Sequence, residues 1–263
     1  MTSSPAAHWK IVWITGASSG IGRDVALQLA RAGVRAAASA RSAEALAKLA
    51  AEHSAVTAYP LDVTDAAAVM ATVQAIEAQL GGIDLAILNA GVWHPMGAAE
   101  FSGAKAIDSM AVNYFGITNA VAALVPGMIA RRAGHLAFVS SVAGYRGLPK
   151  AAGYAPSKAA VISLAEVLKP DLAAYGVTVT VINPGFVETP MTSVNRFPMP
   201  FIIKSEDAAQ RMIAGLKTGR FEVAFPWQLV WLMKLLRLLP YPWFFWYARR
   251  LLSPGRTPQG WGD

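Results

Sequence analysis

Tyr154 and Lys158 stand four residues apart in the helix-forming run Gly153–Tyr175, which puts their side chains a turn apart on one face. A free tyrosine titrates at about pH 10, too high for efficient proton exchange with a substrate oxygen at neutral pH. An ammonium group beside the phenol stabilises the phenolate and draws that value down. The pair therefore has the makings of a proton donor with its own electrostatic tuner. Taken alone, Tyr-x-x-x-Lys also describes ordinary helix surface. Its surroundings must decide.

A second chemical signal precedes it. Thr15-Gly16-Ala17-Ser18-Ser19-Gly20-Ile21-Gly22 follows the first strand-like run and opens a helical one. Glycines let the backbone turn sharply and approach a pyrophosphate, and the helix start offers free N–H groups and a positive dipole end. Gly16, Ser18, Ser19, Gly20, Ile21 and Gly22 are thus candidate cofactor contacts, against the plainer reading of a tight turn. No metal is expected. His8, His53, His94 and His135 lack ligand spacing, and the absence of cysteine excludes thiolate catalysis and Cys-ligated centres. His135 opens a strand. His94 lies in a loop near the site, where substrate contact and loop filler both remain open.

The elements that must position these residues alternate along the chain. Strands are expected at Lys10–Thr15, Val34–Ala40, Ala55–Leu61, Leu85–Asn89, Gly134–Ser140, Val177–Asn183 and Phe221–Phe225. Helices are expected at Gly20–Ala32, Ala43–Glu52, Ala66–Leu80, Ala104–Arg131, Gly153–Tyr175 and Ser205–Leu216. That alternation predicts an α/β fold: a Rossmann-like doubly wound parallel sheet, helices on both faces, ligands at the carboxyl ends of the strands. Residues 1–226 form the expected nucleotide-binding catalytic domain, and 227–263 an apolar helical tail. The first ten residues show no secretory signal, and the uncharged run Ser109–Ala130 is interrupted by Asn113, Asn119 and Pro126, as suits a core helix.

Composition fits an enzyme with an unusual end. The chain has 263 residues, 54% of them hydrophobic and 15% charged, with a formal charge of +7. Alanine supplies 50 residues, a sign of close-packed helices. From Trp227 onward five basic residues face Asp263 alone, and five of the eight tryptophans lie there. Elsewhere no basic stripe exists, so nucleic acid is not an expected partner.

Thr-Gly-x-x-x-Gly-Ile-Gly resembles the short-chain dehydrogenase/reductase family, in its shorter-chain branch. Other family motifs follow in order over residues 10–225: Leu61-Asp62-Val63, Asn89-Ala90-Gly91, Asn113, Ser141, Tyr154-Ala155-Pro156-Ser157-Lys158, and Asn183-Pro184-Gly185 leading through Val187 to Thr189. The resemblance implies Asn113, Ser141, Tyr154 and Lys158 as the catalytic set. Tyr154 moves the proton, and Ser141, rather than Ser140, holds the substrate oxygen. Lys158 also bonds the nicotinamide ribose, and Asn113 holds a proton-relay water. It further implies that Asp62, Val63, Asn89, Ala90, Gly91, Pro184, Gly185, Val187 and Thr189 line the cofactor. A homodimer or homotetramer is implied as well, through the helices bearing Asn113 and Tyr154.

Cofactor choice hinges on the end of the second strand, where a carboxylate would bind the ribose hydroxyls of NAD. The sequence offers Arg41 and Ser42 after Ala40, with no acid before Glu44. Arg41 can pair a 2′-phosphate, which favours NADP, with NAD possible if Arg41 is only a solvated surface residue. The expected activity is therefore NADP-dependent interconversion of a ketone and a secondary alcohol. The alternatives are NAD-dependent alcohol oxidation and a non-catalytic cofactor-binding scaffold. A lid over Thr189–Ile203, rich in Met, Phe and Pro, would sit with Trp93, Met96 and Tyr145 around the opening and favour a lipophilic substrate. In the tail, Leu229–Leu239 has a helical pattern, Pro240 and Pro242 break it, and Trp243–Tyr247 precede Arg249-Arg250. Such a segment can meet a membrane surface, fold over the pocket or join subunits. The corresponding location is cytoplasmic, peripheral to the inner face of a membrane.

Overall fold

The computed structural model describes residues 9–195 and 197–252. His8 and Asp263, singled out above, lie outside the described residues, as do Arg196, Arg256 and Trp261. The chain alternates β1 (Ile11–Thr15), α1 (Gly20–Arg31), β2 (Arg35–Ala40), α2 (Ala43–Glu52), β3 (Val56–Pro60), α3 (Ala66–Leu80) and β4 (Leu85–Leu88). It continues with α4 (Gly103–Met110), α5 (Gly116–Ala130), β5 (Gly134–Val139), α6 (Tyr154–Ala173), β6 (Val177–Pro184), β7 (Val187–Glu188) and β8 (Ile203–Lys204). Then come α7 (Ser205–Leu216), β9 (Glu222–Phe225), α8 (Trp227–Leu238) and α9 (Tyr241–Leu252).

Among the described residues seven parallel strands form one sheet in the order β3-β2-β1-β4-β5-β6-β9. The order reverses between β1 and β4, and a doubly wound sheet opens its ligand crevice at the carboxyl ends of such a pair. Because helices cover both faces, the strands read as continuous buried runs, and all five residues of β1 are buried. Strand β2 is mostly alanine, a poor strand former. Its central place between β1 and β3 overrides that preference.

Two apolar layers sandwich the sheet. One holds Val25, Leu29, Leu46, Leu49 and Met212 from α1, α2 and α7. The other holds Val73, Ile76, Leu124, Met128 and Val161 from α3, α5 and α6. Leu229, Val230, Met233 and Leu236 of α8 belong to that second layer, so the first tail helix is packed into the body.

The helix expected over Ala104–Arg131 spans Gly103–Ala130, but with a π-helical turn at Ala111–Phe115 between α4 and α5. The pattern of apolar residues could not reveal that turn, which carries Asn113. By length and composition alone this 28-residue helix could cross a membrane, yet Ile117, Ala120, Leu124 and Met128 are buried in the core. A two-stranded parallel ladder of β7 and β8 also escaped the sequence reading, because each strand is two residues long.

Candidate active site

The crevice between β1 and β4 is built by side chains that stitch the two strand ends together. Thr15 Oγ1 accepts hydrogen bonds from the N–H groups of Asn89 at 3.0 Å and Ala90 at 3.1 Å. Asn89 Nδ2 in turn donates to the carbonyls of Thr15 at 3.1 Å and Gly16 at 3.3 Å. Gly16 turns with φ +69°, and a Cβ there would come within 2.8 Å of Ala90 Cα. Only glycine accepts both conditions. Thr15 was passed over in the sequence, where it looked like the last residue of a strand.

Beyond this turn α1 begins at Gly20, with extended Ser19 as its N-cap and no side-chain capping bond. Its first N–H groups are therefore left to a ligand or solvent, as an anion site requires. Thr189, on the chain after β7, lies against Gly20, so the glycine turn and the Pro184–Thr189 segment meet. At the end of β2, Arg41 is exposed. Asp62 sits close enough for Arg41 to act on it. The N–H and hydroxyl of Thr64 hold its carboxyl below the usual value, and Arg41 adds to that effect. Val63 is buried, and its carbonyl accepts from Asn119 Nδ2 at 2.9 Å. Uncapped helix start, glycine turn, exposed Arg41 and anchored Asp62 together fit a dinucleotide.

Tyr154 is the first residue of α6, and the preceding Gly153 lets α6 approach α4. A Cβ on Gly153 would stand 2.9 Å from Ser109 Oγ. Tyr154 is hydrogen-bonded to Ser141, while Ser140 turns away and donates to the Lys158 carbonyl at 2.7 Å. Ser141 itself donates to the Pro184 carbonyl at 3.3 Å and accepts from the Ala143 N–H at 3.1 Å. Lys158 is buried, donates from Nζ to the Val139 carbonyl at 2.9 Å, and lies 5.6 Å from the centre of the Tyr154 ring.

One expectation needs correction. Lys158 was expected to lower the Tyr154 pKa, yet burial raises it, and the Ser141 hydrogen bond offsets this only in part. Burial also lowers the Lys158 ammonium to about 8. Desolvation disfavours the charged form of each group.

Asn113 is fully buried and reaches far beyond its own helix. Its Oδ1 accepts from the Val92 N–H at 2.7 Å, and its Nδ2 donates to the Val92 carbonyl at 3.1 Å and Ser157 Oγ at 2.9 Å. It thereby joins the loop after β4, the π turn and the first turn of α6. Gly91 lies in that loop, near both Asn113 Oδ1 and Lys158 Nζ.

Trp93, in the same loop, packs edge-on against Tyr154 with ring centres 5.0 Å apart. Its Nε1 donates to Asn195 Oδ1 at 2.9 Å, which ties the lid to the site. Asn195 was not singled out in the sequence, because nothing local marks its partner 102 residues away. The lid carries Phe197 against Phe186 at 6.0 Å, and its Met191 and Phe201 are exposed. Three further residues named in the sequence are held by partners of their own. Met96 is buried and its sulfur accepts from the Ser102 N–H at 3.0 Å. Tyr145 is buried and donates to Glu222 near α8. His94 bonds Asp108 of α4 at 2.7 Å. Among the described residues no cluster of metal-ligating groups occurs.

Fold and crevice define a nucleotide-binding protein of the doubly wound class, and comparison with known proteins makes the class specific. Residues 10–198 match the family model described as short chain dehydrogenase. The chain therefore belongs to the short-chain dehydrogenase/reductase family, oxidoreductases that act on CH–OH groups with NAD(P). It is 42% identical over 247 residues to an "Uncharacterized oxidoreductase" of Myxococcus xanthus, covering 92% of this chain and 98% of that one. A 3-oxoacyl-[acyl-carrier-protein] reductase of Thermotoga maritima is 34% identical over 215 residues, 76% of this chain and 87% of the other. Among solved structures, a short-chain dehydrogenase/reductase of Burkholderia phymatum in complex with NAD superposes with a TM-score of 0.81 at 26% identity. That likeness covers 88% of this chain and 94% of the other.

Proposed function

We propose that the protein reduces a lipophilic ketone to a secondary alcohol with NADPH, and catalyses the reverse oxidation when alcohol is in excess. The contact of Tyr154 with Ser141 above buried Lys158 carries this reading. When bound, the nicotinamide cofactor supplies or accepts the hydride. Tyr154, held in its neutral form by burial, gives its phenolic proton to the carbonyl oxygen, and Ser141 holds that oxygen in place. Lys158 holds the ribose and supports the tyrosinate left after proton transfer. Asn113 keeps the loop at Val92 and the start of α6 in register for this exchange.

Gly16, Ser18, Ser19, Gly20, Ile21 and Gly22 would cradle the pyrophosphate. Asp62, Val63, Asn89, Ala90 and Gly91 would border the adenosine half, and Pro184, Gly185, Val187 and Thr189 the nicotinamide half. Reduction as the direction is supported by the Thermotoga maritima relative, whose name describes reduction of a 3-oxoacyl group. A lipophilic substrate is supported by Trp93 beside Tyr154 and by Phe197 of the lid against Phe186.

NADP is supported by exposed Arg41 directly after β2, where a 2′-phosphate would be met by a guanidinium and no carboxylate. NAD is the second reading, favoured by the cofactor in the Burkholderia phymatum structure. Comparison of kcat/KM for NADPH and NADH with a panel of ketones tests the choice. We expect NADPH to be preferred, and Arg41→Ala to lower its kcat/KM roughly 10- to 100-fold while leaving NADH nearly unchanged, the loss of one charge-assisted contact. Equal values for the two cofactors would contradict it. A homo-oligomer is supported by exposed Ile107 and Phe115 on the Asn113-bearing helix and Val167 on α6, and sedimentation showing a monomer would contradict it.

A further inference from the structure

The two tail helices present a face that the oxidoreductase reading leaves unused. Trp227, Trp231, Leu235 and Leu238 recur at spacings of four, four and three residues, a single stripe along α8. They point outward, with Trp231 69% and Leu238 80% exposed, and Tyr241 and Trp243 extend the patch onto α9. The opposite side of α8 is already buried in the core through Leu229, Val230, Met233 and Leu236. A helix apolar on both sides normally lies wholly inside a protein or against a second apolar phase. Arg237 on α8 and Arg249 on α9 are exposed, with no Asp or Glu anywhere in 227–252.

The patch is rigidly mounted. Arg146 donates to the carbonyls of Arg237 at 3.2 Å and Leu239 at 3.3 Å, at the end of α8. Its guanidinium lies 4.6 Å and 4.4 Å from the ring centres of Tyr241 and Phe244. Lys234 is ion-paired with Glu222 of β9. On its inner side α8 touches the nucleotide-binding segment, since Leu229 Cδ2 would stand 2.7 Å from a Cβ on Gly185.

We infer that the outer face of α8 and α9 docks on an anionic lipid surface. An interfacial helix pair places Trp and Tyr at the headgroup level, Leu deeper, and Lys and Arg against lipid phosphates. A second copy of the chain fits less well, because a two-fold contact sets the patch against itself, and 227–252 offers no acid to face the exposed Arg237 across it. This docking stands apart from the proposed chemistry, although the contact with Gly185 sets the lipid surface beside the segment that leads into the lid. It locates the protein at the periphery of a membrane.

Co-sedimentation of the full chain with phosphatidylcholine vesicles, with and without phosphatidylserine, tests it. Binding is expected to be at least tenfold tighter with phosphatidylserine, since basic residues near the surface are drawn to its negative charge. The exposed-surface variants Trp231→Ser/Leu235→Ser/Trp243→Ser and Arg237→Glu/Arg249→Glu should each weaken it roughly tenfold or more, with Tm and oligomeric state unchanged. Absence of vesicle binding by the wild type, or binding that neither variant weakens, would overturn the inference. So would a smaller oligomer in the variants, which would make the patch a contact between copies. Turnover of a water-soluble ketone in lipid-free buffer reports separately on the catalytic reading.

Discussion

Burial acts in opposite directions on Tyr154 and Lys158, raising the phenol and lowering the ammonium to about 8. The tyrosine is thereby kept as a neutral acid, suited to protonating a carbonyl oxygen. Tyr154→Phe should reduce turnover by about 100- to 10,000-fold, the usual weight of general acid catalysis, with NADPH affinity nearly unchanged in a fluorescence titration. Lys158 carries a cost in the cofactor-free protein. Its folded pKa lies below the ordinary value of 10.5, so the folded state holds fewer protons than the unfolded chain between about pH 8 and 10.5. Stability therefore rises with pH across that window, by about 3 kcal/mol from this group. Denaturant unfolding of the wild type and Lys158→Met should diverge by that amount between the two ends of the window. A difference independent of pH would show that the ammonium is not desolvated. The Tyr-x-x-x-Lys spacing was legible because both residues sit on one helix. The balance of their pKa values was not, since it depends on enclosure by β5 and the loop at Ser141.

Elements differ in how far they could be read from sequence. The glycine turn and α1 were legible because strand, turn and helix start follow one another within a dozen residues. The π turn around Asn113 was not, because the partners that hold it lie 21 residues before it and 44 after it. Removing those partners should disturb structure and chemistry together. Asn113→Ala empties a fully buried site and strands the part-buried Val92 N–H, and we expect a loss of about 3 kcal/mol in denaturant unfolding. Trp93 would lose its anchor beside Tyr154 at the same time, so kcat should fall as well. Unchanged stability would rule out this joining role. The Leu229–Leu239 pattern correctly suggested α8. The contacts that seat that helix come from Arg146 and Glu222, which no pattern within the tail could disclose.

At the scale of the whole molecule, the charge of +7 combines a nearly balanced body with a basic aromatic tail. The alternation of short apolar runs with alanine-rich helical runs translated directly into the sheet and its helical layers, which was the most legible part of the fold. One buried histidine makes the body acid-sensitive. His135 lies between Trp9 and Thr180, and burial, aided by Lys169, lowers its pKa to about 4. Its folded value is below the unfolded one, so its contribution is intact above about pH 6.5 and is lost as pH falls toward 4. Stability should drop by about 3 kcal/mol over that range, and His135→Gln should remove this component, measured by urea unfolding at each pH.

The central claim concerns the reaction itself. The most direct test is NADPH consumption by the purified full chain with a panel of long-chain, steroid and small ketones, with the product identified in each case. The expected result is one secondary alcohol formed for each NADPH oxidised, fastest with the lipophilic ketones. Tight NADPH binding with no alcohol formed from any ketone, and no oxidation of the matching alcohols with NADP, would contradict it.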